Sequence, residues 1–288
     1  MIDKLNIHII KDILGRHGFK FSKSLGQNFL TDMSVPYNIA ELSDIDESYG
    51  IVEVGAGMGV LTAELSKRAG RVCVVEIDRT LLPVLKETLD GYNNIDVVNN
   101  DILKTDLHEL VKTHLEGYKL AVCANLPYYI TTPVIVKIVE SKLFEFLTVM
   151  VQREVAYRIC ARPGTADYGA FTLFCNWYCT PEILFEVPPT SFTPQPKVYS
   201  AVVKLKMREA PPCEVKDEKL FFKVIKAAFA QRRKVLKNGL SSAFSQFSKE
   251  EIGEIIAECG FSETVRGETL GIEEFARLSD AMYNRMNP

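Results

Sequence analysis

The run Asn125-Leu126-Pro127-Tyr128-Tyr129-Ile130 places an amide, a residue with no backbone N–H and an aromatic ring directly after the apolar segment Leu120–Ala124. Such a set suits chemistry on the exocyclic amino group of a nucleobase. That nitrogen is a poor nucleophile, because its lone pair is delocalised into the ring. If the Asn125 side-chain oxygen and a backbone carbonyl near Leu126 accept its two N–H bonds from one side, the nitrogen moves toward sp3 and its lone pair points at an electrophile. Pro127 removes a donor and stiffens the turn. Tyr128 offers a flat face for an extruded base. No strong general base is required, since the aminium formed after transfer is acidic. The bland reading is that Pro and two Tyr end a strand; the order of amide, turn and ring favours the chemical one.

A second group lies upstream. Glu53-Val-Gly55-Ala-Gly57-Met-Gly59 follows an apolar run and opens a helical pattern, the place where doubly wound sheets hold nucleotide-like ligands. The spacing is G-x-G-x-G, since position 60 is Val, which disfavours a dinucleotide and favours a ligand without a pyrophosphate. Glu76 lies roughly 20 residues downstream, where an acid takes ribose hydroxyls. Asp101 closes Asn99-Asn-Asp101 at a third strand end. Gly, Glu and Asp on three successive strand ends describe a pocket for an adenosine whose attached group is uncharged or cationic. Taken singly, the glycines are a tight connection, Glu76 a solvated strand end and Asp78 a helix cap.

These residues need a scaffold that brings strand ends together. Ile51–Val54, Val72–Ile77, Ile95–Val98, Leu120–Ala124 and Leu147–Val151 read as strands. Leu61–Arg68, Leu81–Leu89, Leu107–Leu115 and Pro133–Ser141 read as helices between them. The alternation predicts an α/β fold, a Rossmann-like doubly wound sheet, mostly parallel. Near residue 180 the pattern changes, because Val187-Pro-Pro-Thr and Thr193-Pro-Gln-Pro-Lys force extended backbone. Val198–Met207 then alternates as an antiparallel edge strand, and Ala210-Pro-Pro-Cys reads as a linker. Beyond it the period is helical, with Ser248 and Glu251 fitting a capping box for a helix ending at Gly260 and Ile272–Tyr283 a last helix. The expected organisation is a catalytic domain over 1–210, with an N-terminal helical extension over 1–45, and a small all-helical domain over 211–288.

Composition narrows the function classes. The chain has 288 residues, 47% hydrophobic and 25% charged, an ordinary globular balance. No apolar run reaches the roughly 18 residues of a membrane span, and nothing at the N-terminus marks the chain for secretion. Seven scattered cysteines without a C-x-x-C pair, and only four His, predict reduced thiols, no metal site and a cytoplasmic location. The net charge of −3 argues against indiscriminate coating of nucleic acid, yet Lys197–Leu240 holds twelve Lys/Arg against four Asp/Glu. One face is therefore expected to meet a polyanion. Lys197 and the run Arg232-Arg233-Lys234, read as part of an amphipathic helix, are candidate polyanion contacts, the run being otherwise a solvated basic side, and Lys20 and Lys23 could add contacts at the pocket mouth. Arg153 and Arg158, about one turn apart around Glu154, are either RNA-facing or internal ion-pair partners. No feature forces a dimer, so a monomer is expected.

With these residues in view, the chain resembles the ribosomal RNA adenine dimethyltransferases, and the small-subunit type more than the antibiotic-resistance type. The likeness is carried by Ser24-Leu-Gly-Gln-Asn-Phe-Leu30, Glu53–Gly59, Asn125–Tyr128, Gln152-Arg-Glu-Val-Ala-Tyr-Arg158 and Ser191-Phe-Thr-Pro-Gln-Pro-Lys-Val198. It continues through Gln231–Asn238 and Arg266-Gly-Glu-Thr-Leu270, so it covers nearly the whole chain. The resemblance implies S-adenosylmethionine as methyl donor and the amino groups of two adjacent adenosines, in the 3′-terminal hairpin of small-subunit ribosomal RNA, as acceptors. It implies action on an immature small subunit late in assembly. By similarity Asn28, Leu30, Gly55 and Gly57 belong to the cofactor site, Glu76 binds the ribose and Asp101 the cofactor's adenine. Asn125 faces both cofactor and target, Leu126, Pro127 and Tyr128 lie on the target side, and Phe192 sandwiches the base against Tyr128. Two competing readings are a large-subunit methyltransferase of the resistance type and a ribosome-assembly factor acting mainly by docking.

Overall fold

Short β-branched runs alternating with amphipathic stretches build a parallel sheet, because each connection between parallel strands needs a crossover that a helix supplies. The computed structural model describes residues 7–19, 21, 26–231 and 234–288. In chain order the elements are α1 (Ile7–Arg16), β1 (Phe29–Leu30), α2 (Ser34–Leu42), β2 (Tyr49–Val54), α3 (Val60–Ser66), β3 (Arg71–Glu76), α4 (Leu82–Thr88), β4 (Ile95–Asn99), α5 (Leu107–His114), β5 (Lys119–Asn125), α6 (Thr131–Ser141) and β6 (Phe146–Gln152). Then follow α7 (Arg153–Ile159), α8 (Ala170–Tyr178), β7 (Cys179–Val187), β8 (Phe192–Thr193), β9 (Ser200–Met207), α9 (Glu218–Ala230), α10 (Leu236–Ala243), α11 (Lys249–Glu258) and α12 (Ile272–Met286).

The main sheet has the order β4-β3-β2-β5-β6-β9-β7. β2 pairs in parallel with both β3 and β5, and β3–β4 and β5–β6 are parallel as well. The central strands are buried on both faces: Ile51, Val52, Val72, Val74, Ala121 and Val122 have no exposed surface. Their uninterrupted apolar runs follow from helices covering both sides. β9 runs antiparallel to β6, from Gln152 opposite Ser200 to Phe146 opposite Lys206. The antiparallel strand read at Val198–Met207 is therefore present, but β7 lies outside it. Pro181 obscures β7 in the sequence, and Pro is tolerated at such an outer strand.

The chain divides into two compact units. One comprises residues up to Ala156 together with Glu182–Met207; the other comprises Tyr157–Pro181 with Arg208–Pro288. The stretch 157–181 packs in the second unit, with the residues after Met207. The reason lies in its apolar residues: the Trp177 ring centre is 4.4 Å from that of Phe221, and the Tyr168 hydroxyl donates to the Leu270 carbonyl at 2.7 Å. The second unit's core gathers Trp177, Phe221, Phe244 and Phe275. Asp217 caps α9 through the Lys219 and Leu220 N–H groups, and Ser248 with Glu251 forms the expected box on α11. No helix among the described residues is long and apolar enough to cross a membrane.

Candidate active site

In a doubly wound sheet the crevice opens where strand order reverses, which here is between β2 and β5. At the carboxyl end of β2, Gly55, Gly57 and Gly59 have φ of 73°, 58° and 81°, a region that side chains disfavour. A Cβ on Gly57 would stand 3.3 Å from the Phe29 ring, whereas one on Gly55 would meet nothing within 4 Å. Backbone at Gly55 is thus open to a ligand.

Glu76 ends β3 almost fully buried, at 4% exposure. Its carboxylate accepts from the Asp78 N–H at 2.9 Å and the Gly57 N–H at 3.3 Å, tying the glycine turn to the next strand. Asp78 in turn caps the following 3-10 turn through the Thr80 N–H and accepts from the Gln27 amide at 2.7 Å. Asp101 follows β4 and accepts from the Leu103 N–H at 2.9 Å. Lys137 of α6 donates to the carbonyls of Leu103 and Thr105, at 2.9 and 2.6 Å, and so fixes the loop after Asp101.

Asn125 closes β5, and the Leu126 N–H donates to the Met150 carbonyl at 3.1 Å. The Pro127 carbonyl accepts from the Ile130 N–H and the Thr131 hydroxyl, which pins the turn from its far side. The Tyr128 and Ser200 hydroxyls share a hydrogen bond of 2.7 Å, and burial pushes the Tyr128 phenol above its ordinary pKa. Its ring is therefore anchored at the tip.

The N-terminal contribution comes on a two-stranded ribbon. Phe29 pairs with Thr193 and Leu30 with Phe192, and the Asn28 amide donates to the Gly26 carbonyl at 3.0 Å. Every cofactor and catalytic residue named from the sequence, from Asn28 and Leu30 to Phe192, lines one cleft of about 340 Å³. Phe192 is only 2% exposed; its ring is part of the wall and the core together. Ile77, Ile102 and Leu103 complete an apolar slot beside Glu76 and Asp101.

Two lining residues were not singled out in the sequence. Glu53 interrupts the apolar β2 with a carboxyl that is 1% exposed, and its Oε2 has no hydrogen-bond partner. Burial, with the Glu76 charge adding to it, pushes Glu53 up to about 8, so it carries a proton at neutral pH. An acid inside Ile-Val-Glu-Val was the available signal. Tyr129, 55% exposed, stands at the mouth with its ring 3.5 Å from where a Gly26 Cβ would be.

The basic candidates separate. Lys20, Lys23, Arg232 and Arg233 lie outside the described residues. Lys197 and Lys234 are exposed. Lys234 and Val235 lie outside any helix: α9 ends at Ala230, and α10 begins at Leu236, whose N–H donates to the Val265 carbonyl. Lys234 sits in the intervening turn, its N–H on the Gln231 carbonyl. Arg153 reaches Glu186 at 3.4 Å and lies over the Tyr199 ring, with its side chain 47% exposed.

Among proteins of known name, the chain is 46% identical over 277 residues to a ribosomal RNA small subunit methyltransferase A of Alkaliphilus oremlandii, covering 96% of each. It is 47% identical over 276 residues to that of Bacillus cytotoxicus, covering 94% of each. Among solved structures, a dimethyladenosine transferase from Plasmodium falciparum superposes with a TM-score of 0.72 at 26% identity, over 87% of this chain and 95% of that one. The 23S rRNA methyltransferase ErmE gives 0.68, also at 26%, over 89% and 100%. The family model described as ribosomal RNA adenine dimethylase matches residues 18–277. With the amide-turn-ring motif and the glycine turn opening onto one cleft, and a match spanning both units, the chain belongs to the ribosomal RNA adenine dimethylase family.

Proposed function

We propose that this chain uses S-adenosylmethionine to dimethylate the exocyclic amino groups of two adjacent adenosines in the 3′-terminal hairpin of small-subunit ribosomal RNA. It acts as a monomer in the cytoplasm, on an immature subunit late in assembly. The observation that carries the reading is the convergence of Asn125–Tyr128 with Gly55, Glu76 and Asp101 on one cleft.

The cleft fits the donor. Its size is in the range of small-molecule sites. Two carboxylates flank an apolar slot, Gly55 leaves backbone open, and the nearby charge is negative, matching a cationic ligand. Glu76 holds the ribose, Asp101 the adenine amino group, and Asn28, Leu30, Gly55 and Gly57 surround the remainder. Bound there, S-adenosylmethionine supplies a methyl group activated by a sulfonium.

On the acceptor side, the Asn125 side-chain oxygen and the Leu126 carbonyl accept the two amino hydrogens, while the proline turn holds them at fixed spacing. Tyr128, fixed by Ser200, gives the target base a face on which to stack, and Phe192 backs the same wall. Because its pKa is raised, Tyr128 stays protonated at neutral pH and contributes a ring rather than a base. The rate gain comes from positioning and water exclusion. Arg153, Lys197 and Lys234, with Lys20, Lys23, Arg232 and Arg233, supply phosphate contacts that position the RNA without selecting the base.

The test is incubation with labelled S-adenosylmethionine and small subunits lacking the modification, followed by digestion and mass spectrometry. Dimethyladenosine at two adjacent positions of the 3′ hairpin is expected. Label on large-subunit RNA alone would contradict the substrate, and no label on any RNA would favour a docking factor.

A further inference from the structure

Phe192 and Ser200 are both buried at the cleft, one in its wall and the other against the Tyr128 hydroxyl. Between them the chain exposes Lys197, Val198 and Tyr199 in succession. Tyr199 is 43% exposed, although its neighbour Ser200 is fully covered. An aromatic ring thus stands on the surface one residue from the group that anchors Tyr128.

Arg153 is built onto this ring. Its backbone N–H donates to the Tyr199 carbonyl at 2.9 Å, its guanidinium carbon lies 4.9 Å from the ring centre, and Glu186 engages it from another side at 3.4 Å. An ordinary solvated arginine samples many rotamers; this one is restrained by a ring, a carboxylate and a backbone tie. Restraint of an exposed cation beside a cleft favours a partner that uses its planar face. Guanidinium planes and tyrosine rings are the groups on which unstacked RNA bases settle, and the Lys197 charge nearby suits the phosphate that accompanies such a base.

We propose that Arg153 and Tyr199 form a stacking ledge for the nucleotide next to the target adenosine, so that one base occupies the cleft while its neighbour rests on the ledge. The inference rests on the RNA-methyltransferase reading above and adds the place of the flanking nucleotide. The ledge selects an unpaired nucleotide by its π-face, with no base-edge readout.

The test uses the full-length protein with unmethylated small subunits, measuring kcat/KM for subunits, its salt dependence, and the Kd of S-adenosylmethionine. Base–aromatic stacking predicts that Tyr199→Ala lowers kcat/KM about 10-fold. Arg153→Lys, which keeps the charge and removes the planar fork, lowers it comparably with the salt slope unchanged. Tyr199→Phe recovers the loss, and the Kd of S-adenosylmethionine stays at the wild-type value in all three. Both Tyr199→Ala and Arg153→Lys remaining within 2-fold of an active wild type would overturn the ledge. A loss accompanied by weakened S-adenosylmethionine binding would overturn it too, since the pair would then be merely structural. A wild type that leaves small-subunit RNA unmethylated would overturn the parent reading, and the ledge with it.

Discussion

Both units bury polar side-chain atoms without a partner, but the atoms are of different kinds. Among the described residues of the sheet unit these are the Glu53 Oε2 and the Thr62 and Thr148 hydroxyls, and Glu53 lines the cleft. In the helical unit they are the neutral Trp177 Nε1 and the Ser279 hydroxyl, in a core gathered around large aromatic rings where Tyr168 donates its hydroxyl to the Leu270 carbonyl. A buried carboxyl oxygen without a hydrogen-bond partner costs stability, and costs more if the group ionises. Among the described residues the two buried carboxyls, Glu53 and Glu76, both line the cleft of the sheet unit, whereas the helical unit buries neutral side chains and is shaped by packing.

The largest effect that sharpens this contrast is expected at Trp177. Trp177→Ala removes the ring against Phe221 and should destabilise the helical unit by about 3–5 kcal/mol, read as a lower denaturant midpoint. The Kd of S-adenosylmethionine should stay within about 2-fold; a large change would break the separation of roles.

Glu53→Gln tests the opposite side. A carboxyl raised from 4.5 to about 8 on folding binds more protons folded than unfolded between those values. Its stabilising neutral form is fully present below about pH 4.5, and stability falls as pH rises through about 8. The substitution should therefore be nearly neutral at pH 5 and stabilising by on the order of 2–4 kcal/mol at pH 8. Equal stability at both pH values would show that Glu53 is solvated or paired.

Glu76→Ala should raise the Kd of S-adenosylmethionine roughly 10- to 100-fold, since it removes a charge-assisted contact and two backbone ties; calorimetry giving an unchanged Kd would remove the ribose assignment. The smallest effect is expected at Lys234. Lys234→Ala should lower the logarithmic salt slope of RNA binding by about 1 and weaken all RNA sequences alike, and an unaltered slope would take Lys234 off the RNA face.

Much of this was legible in residue order. β-Branched runs such as Ile51–Val54 and Val72–Ile77 located strands because central parallel strands must be apolar on both faces. The Asn125–Tyr128 run and the glycine turn located the cleft because local backbone demands and chemistry coincide there. Contacts made across long separations were not legible. The Tyr128–Ser200 hydrogen bond joins residues 72 apart, and Gln27 reaches Asp78 across 51. Nothing local announces either. The apolar face of Ala170–Tyr178 shows that it must be buried but not against which partner, so its place in the helical unit emerged only from Trp177 on Phe221. Pro181 hid β7 for a related reason, since it suppresses a strand reading without forbidding an outer strand. The basic run 232–237 followed a helical period, although Lys234 and Val235 lie outside any helix.

The central claim is that Asn125 prepares the target nitrogen and is not needed to hold the donor. The most direct measurement is single-turnover methyl transfer to unmethylated small subunits by Asn125→Ala, with the Kd of S-adenosylmethionine determined on the same preparation. Loss of an oriented acceptor predicts a transfer rate lower by about 100- to 1,000-fold, with the Kd within about 3-fold of wild type. Transfer at the wild-type rate would contradict the account.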